Sequence, residues 1–280
     1  MTKIIAFSGR KQSGKNTSAH FVYGLYLAGT GQFKDVGLSN EGLIEVVKQD
    51  DTLITFEPLK YYLGIGEIDP EVMDIVNAIS PVIKIYSFAD SLKNDVCMNI
   101  LGLSYEQCYG SDEEKNKPTH IRWENMPGII TPHLATYLYG KYDEGLSTED
   151  LLDFGLTVHE SGPMTSREIM EYVGTNIFRK IYSDSWDGAT MSKIEREKPT
   201  FAMITDTRFG NEVMSVKKKN GKVIRLTRNP IDSDSEPETA LDKENFDWNN
   251  FDHIVDNENL SIGEQCDVLY PIILEIINAN

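Results

Sequence analysis

The chain has little basic charge for its size. Acidic residues outnumber Lys and Arg 44 to 27, a formal charge of −17 over 280 residues. Duplex-binding surfaces rest on basic excess, because neutralising phosphates drives their affinity. Nucleic acid is therefore not the expected partner. Cysteine is scarce too: Cys97, Cys108 and Cys266 are far apart, odd in number and form no C-x-x-C pair. A disulfide framework is not expected, and a reducing, cytoplasmic setting is. No apolar run approaches the ~18 residues of a membrane helix. Residues 1–7 are too short, and too soon followed by glycine, to read as a secretory signal. The five histidines show no metal-ligand spacing, and neither G-x-S-x-G nor H-E-x-x-H occurs. Zinc chemistry and serine-type hydrolysis thus lack support, as do protein-kinase catalytic motifs.

What is present is an alternation of strand and helix patterns. Residues 3–7, "KIIAF", read as a buried strand, followed by a glycine turn and a helix from Lys15 to about Leu27. Residues 82–88, 201–205 and 222–227 read as further strands, and "DHIVDN" (252–257) as a weaker one. Helices are expected over 89–101, with Leu92, Val96 and Ile100 on one face, and from Thr165, capped by Thr165 or Ser166 with Glu168 in the box position. Ile169, Val173, Ile177 and Ile181 would form the apolar stripe of that second helix. Residues 211–220 and 261–277 complete the set, the former stopping at Gly221. The alternation implies an α/β fold with a mainly parallel sheet covered on both faces. One domain spanning 1–280 is expected, with insertions at about 29–80 and 105–163 that could cover a substrate.

The strongest local signal is Gly9-Arg10-Lys11-Gln12-Ser13-Gly14-Lys15-Asn16-Thr17. It fits G-x-x-x-x-G-K, with the hydroxyl residue one place later than in G-K-[ST]. Glycines let such a loop wrap a phosphate with inward N–H groups, and the helix that follows adds its positive N-terminal field. Lys15 can bridge the β- and γ-phosphates of ATP. A surface turn with a stray lysine is the bland alternative; the preceding β-branched strand and following helix weigh against it. With Asn16 in place of Ser or Thr, Mg²⁺ is expected to rest mostly on phosphate oxygens and water.

In "FAMITDTRFGNE", Asp206 lies at the C-terminal end of a strand, the edge where α/β sheets carry ligands. It could hold a metal-bound water in the manner of a Walker B acid, although Asp after a strand is also a common turn residue. Arg208 follows two places on, and its planar fork suits phosphate. Lys93, Arg167, Arg179 and Arg228 are the other cations in ordered-looking segments, and each could equally be a surface ion pair.

Together, "FSGRKQSGKNTSA", "FADSLKNDV", "SREIMEYVGTNIFRKIYSDSW", "ITDTRFGNEVMSVKKKNGKVIRLTRNP" and "DHIVDNENLSI" resemble the deoxynucleoside monophosphate kinase family known from tailed bacteriophages. The pieces occur in the family's order, whereas 29–80 and 105–163 match poorly. The resemblance implies a P-loop fold like that of nucleoside monophosphate kinases, ATP with Mg²⁺ as donor, a deoxynucleoside 5′-monophosphate as acceptor and, for a phage protein, the host cytoplasm. By motif it implies ATP-phosphate contacts for Gly9 and for residues 12–18, namely Gln12, Ser13, Gly14, Lys15, Asn16, Thr17 and Ser18. Thr17 would meet the α-phosphate, as in adenylate kinases. Lys11 would lie between donor and acceptor. Lys93 and Arg167 would hold the acceptor phosphate, with Gly174, Thr175 and Trp186 lining that site. Arg208 would neutralise the transferring group, and Arg228 would lie near the adenine. Relatives can dimerise. The chain departs from the family at Asn16, where Asp is common, and at Gln12, where a basic residue can stand. Three rivals remain: a kinase acting on hydroxymethylated pyrimidines in DNA, a non-catalytic nucleotide-binding module, and a P-loop switch or motor. The last would want the metal hydroxyl that Asn16 replaces.

Overall fold

A computed structural model describes residues 2–141, 151, 155–230 and 236–278. Internal contacts divide the chain into two compact units: Met1–Asp90 with Trp186–Asn280, and Ser91–Ser185. The expected insertion 29–80 belongs wholly to the first, and 105–163 to the second.

The first unit is built on a five-stranded sheet. In chain order its strands are β1 (Lys3–Ser8), β5 (Ile83–Tyr86), β10 (Phe201–Thr207), β11 (Lys222–Leu226) and β12 (His253–Val255). They lie in the order β12-β11-β1-β10-β5, every pair parallel. Successive side chains leave a strand on opposite faces, so a sheet covered on both sides needs apolar residues at every position. The sequence supplies them. Ile5, Phe7, Met203, Ile224 and Leu226 pack into one core with Ala19, Val22, Tyr23 and Leu27 of the first helix and Leu269 and Ile273 of the last. Ile4, Ala6, Ala202, Ile204 and Val223 pack into the opposite core with Ile194, Val213 and Val216.

The first helix spans Lys15–Thr30 and ends on Gly31 in the left-handed conformation. Residues 29–80, unread in detail from the sequence, form an antiparallel meander of β2 (Asp35–Leu38), β3 (Ile44–Val47) and β4 (Leu53–Phe56). Two helices follow, Pro58–Leu63 and Pro70–Ile79. The meander braces the first helix: His20 Nδ1 pairs with Gly42 O at 2.8 Å. A Cβ on Gly42 would come within 2.4 Å of Thr17 Oγ1, so that turn admits only glycine.

The second unit joins short helices to two two-stranded ladders. One pairs β6 (Pro118–Arg122) antiparallel with β9 (Pro163–Thr165); the other pairs β7 (Ile129–Ile130) parallel with β8 (Thr157–Val158). Thr165 caps the helix Ser166–Glu171 through the expected box with Glu168. Two apolar stripes need correction. The helix Ser91–Ile100 has π-type turns, with Leu101 N donating to Val96 O, and Tyr172–Arg179 widens in the same way. An i→i+5 turn abolishes the 3.6-residue spacing on which the stripes were drawn. Cys97, five residues after Leu92, therefore joins it on the buried side. Ile100, the last residue of the former, and Ile181, just past the latter, are 74% and 77% exposed.

Candidate functional site

The 9–14 loop leaves β1 at the carboxyl edge of the sheet, with parallel neighbours β10 and β11 on either side. The chain runs from β1 to the edge strand β5 on one side, and only later to β11 on the other. Such a reversal opens a crevice at the strand ends. The loop is tightly specified. A Cβ on Gly9 would lie 2.3 Å from Ser13 Oγ and 3.0 Å from Leu226 O, and one on Gly14 would strike the Gln265 amide at 2.8 Å. Gln12 and Gly14 both have positive φ, 60° and 95°. Gly14 is the N-cap of the first helix, with no side-chain cap and no acidic residue in the first turn. The N–H groups of that turn and the helix dipole thus carry an uncompensated positive field.

Lys15 is buried, with its ammonium folded back under the loop. Nζ donates to Gly9 O at 2.8 Å and to Arg10 O at 2.6 Å. Burial, reinforced by the Arg208 charge and opposed by Glu238 and Asp206, lowers its pKa from 10.5 to about 7. An arriving phosphate would reverse that balance.

Two side chains that sequence reading missed hold the loop from behind. Asn257 is fully buried and Gln265 is 2% exposed. Asn257 Nδ2 donates to Ser13 O (2.8 Å) and to Gln265 Oε1 (2.7 Å). Gln265 Nε2 donates to Gly14 O (3.2 Å) and to Ser18 Oγ (2.9 Å). Ser18 Oγ itself donates to Gly14 O, so this hydroxyl is part of the loop's own framework. The one sequence sign of this network is that Asn257 ends the weak strand "DHIVDN" just before the closing helix.

A ring of charge surrounds the loop. Arg208 pairs with Glu238, and Lys11 N also donates to that carboxylate at 2.5 Å. Arg10 pairs with Asp242 at 2.5 Å. Arg225, 4% exposed, donates to Ser8 Oγ at 3.1 Å and lies 3.5 Å from Asp242. Burial lowers its pKa. The sequence sign of this cluster is an arginine set between the apolar Ile224 and Leu226 of "KVIRLT". Gln12 of the loop and Asn16 of the first helical turn are exposed.

Asp206 lies at the end of β10 as expected, but its oxygens are largely engaged. Oδ1 accepts from Phe88 N (2.7 Å), and Oδ2 accepts from Ser87 Oγ (2.5 Å) and Ala89 N (3.0 Å). Of about four lone-pair directions, three are used. Among the described residues no three His, Cys, Asp or Glu side chains cluster as metal ligands, so the residues here do not by themselves make a magnesium cage. Arg228, expected near adenine, ties down the 257–260 turn: Nε donates to Asn257 O at 3.0 Å and Nη2 to Leu260 O.

Of the expected acceptor residues, Lys11 and Trp186 belong to the first unit, Trp186 being 7% exposed in the helix Ser185–Glu197. Lys93, Arg167, Gly174 and Thr175 belong to the second. There Lys93 Nζ lies 4.5 Å above the Tyr109 ring. Arg167 donates to Asp112 (2.7 Å) and Asn116 (3.0 Å). Gly174 is buried and Thr175 exposed within the wide-turn helix. Among the described residues, no helix is long and apolar enough to cross a membrane. No family model matches the chain, and no curated protein does either.

Proposed function

We propose that this chain is a P-loop kinase, of the nucleoside monophosphate kinase type, that transfers the γ-phosphate of ATP to a deoxynucleoside 5′-monophosphate, yielding the diphosphate and ADP. One observation carries the reading. A glycine-specified loop ends the central strand of a parallel sheet and runs into an uncapped helix N-terminus, with Lys15, Arg10 and Arg208 around it. Backbone N–H groups and these cations suit a polyphosphate, and alignment with charge neutralisation is what phosphoryl transfer requires of a protein.

The acceptor's phosphate is already an anion, so it attacks phosphorus without a general base. That suits the carboxylates present. Asp206 braces the 87–89 turn, and Asp90 accepts from Ser87 N at 3.0 Å. A hydroxyl acceptor on a DNA base would need one of them to take a proton, and the charge of −17 opposes DNA as well. Lys93 and Arg167 are assigned to the acceptor phosphate, and magnesium to the phosphate oxygens of ATP. Lys15 holds the β- and γ-phosphates once its ammonium leaves Gly9 O and Arg10 O.

The test is ADP release, coupled to a reporter, with ATP and a panel of dNMPs and NMPs. Release that depends on one or more dNMPs is expected. ATP binding without acceptor-dependent release would mark a binding module, and slow hydrolysis indifferent to acceptor would mark a switch or motor.

A further inference from the structure

Two carboxylates from one short segment sit on the cations of the phosphate loop. Glu238, in the turn Glu236–Thr239, is 8% exposed. Its Oε2 accepts from Lys11 N, an amide of the loop itself, at 2.5 Å, and its Oε1 accepts from Arg208 Nη1. Four residues on, Asp242 holds Arg10 at 2.5 Å and faces Arg225 at 3.5 Å. Asp242 N donates to Thr239 O at 3.0 Å, which keeps both acids on one folded turn. A carboxylate bridging a loop amide and a guanidinium makes the contacts that one phosphate group would make with the same donors.

We propose that Glu238 is an intramolecular competitor for the phosphate loop: its carboxylate occupies donors that a polyphosphate needs, and binding requires it to leave. The inference rests on the kinase reading, because it assumes that this loop takes a polyphosphate. The displaced acid sets a threshold. Only a ligand with enough charge to satisfy Lys11 N, Arg208 and Lys15 together displaces Glu238, so triphosphates are favoured over weaker anions such as monophosphate. Its departure also removes a counter-charge that opposes the depressed ionisation of Lys15, and the ligand's phosphate replaces it. Binding affinity is reduced by the fraction of molecules in which Glu238 is seated.

The test measures binding of inorganic tripolyphosphate and of Mg·ATP by calorimetry to the wild type, Glu238→Gln and Glu238→Asp. The amide keeps the shape and loses the charge. The shorter acid keeps the charge but does not span Lys11 N and Arg208 together. Glu238→Gln is expected to bind both ligands about tenfold more tightly than wild type, as for a site seated nine-tenths of the time, with Glu238→Asp between them. Equal or weaker binding by both variants, with the wild type still binding Mg·ATP, overturns the competitor role and leaves the kinase reading standing. Failure of all three proteins to bind either ligand sinks the phosphate-loop reading, and this inference with it. A variant that does not fold, judged by its thermal melt, is replaced in the comparison by the other.

Discussion

The phosphate loop and the candidate acceptor residues are built in opposite ways. Around the loop, polar side chains are buried and interlocked. Asn257 and Gln265 together serve Ser13 O, Gly14 O and Ser18 Oγ, and glycine is required at Gly9 and Gly14 by atoms within 3 Å. In the second unit, Arg167 is an exposed side chain paired with Asp112 at 2.7 Å, and Lys93 rests on the Tyr109 ring at 4.5 Å. The helices that carry Lys93, Gly174 and Thr175 run in wide turns. Buried, satisfied polar networks hold a loop to one geometry, because any departure strands a donor or acceptor away from water. Exposed pairs exchange readily with solvent or a ligand. Under the proposed kinase reading, the contrast suits a rigid cradle for ATP and an adaptable surface for the acceptor.

The sharpest way to break this contrast is at Lys15. Lys15→Met is expected to lower acceptor-dependent turnover by roughly 10²–10³-fold or more while keeping the fold. It should also change stability with a definite sign. The folded pKa of about 7 lies below the unfolded 10.5, so the unfolded chain binds more protons between them. Wild-type stability should therefore gain from this group as pH rises from about 7 towards 10.5, and carry its full penalty below 7. Urea melts across that range should show the slope in wild type and lose this contribution in Lys15→Met; identical slopes would mean that Lys15 is not buried as described. The same protonation links to binding: at pH 8, ATP should be taken up with protons, measurable by calorimetry in buffers of different ionisation heat.

A smaller effect is expected behind the loop. Asn257→Ala strips a donor from Ser13 O and an acceptor from Arg228 N. It should cost about 1–3 kcal/mol in denaturant melts and weaken ATP binding. Intact stability would show that the network is dispensable. Arg167→Ala, by contrast, should change stability by under about 1 kcal/mol while raising the KM of the acceptor dNMP and leaving that of ATP unchanged. Equal effects on both substrates would remove Arg167 from acceptor binding. Least of all should follow from Ile181→Gln. Under a regular 3.6-residue stripe this change would disrupt a core, but at 77% exposure it should fall within about 0.5 kcal/mol; a cost above 2 kcal/mol would restore the stripe.

Much of this was legible in advance because it is local. The strand before Gly9, the loop, the helix at Lys15 and the Thr165–Glu168 box all follow from spacing within a few residues, and all appear where expected. The helix expected over 211–220 also forms, as Gly210–Lys218, but with a twist in its ending. Asn220 takes the left-handed conformation, whereas Gly221 is needed for space: its Cβ would lie 2.6 Å from Val216 Cγ1 and 3.0 Å from Ile4 Cβ. The framework contacts of Ser18 and Arg228 were not legible. Ser18 Oγ accepts from Gln265, 247 positions on, and Arg228 donates to the carbonyls of Asn257 and Leu260, partners that no local pattern announces.

By itself, then, the sequence determined the core strands of the five-stranded sheet and a glycine-bearing strand–turn–helix at Lys3–Thr30, because hydrophobic period and glycine placement act over a handful of neighbours. Tertiary structure alone decided which polar groups are available for chemistry. Asn257 and Ser13 lie 244 positions apart, and Lys11 and Glu238 lie 227 apart. Only the packed sheet brings such partners within hydrogen-bond range, and a buried group's pKa and freedom depend on those partners rather than on its neighbours in the chain.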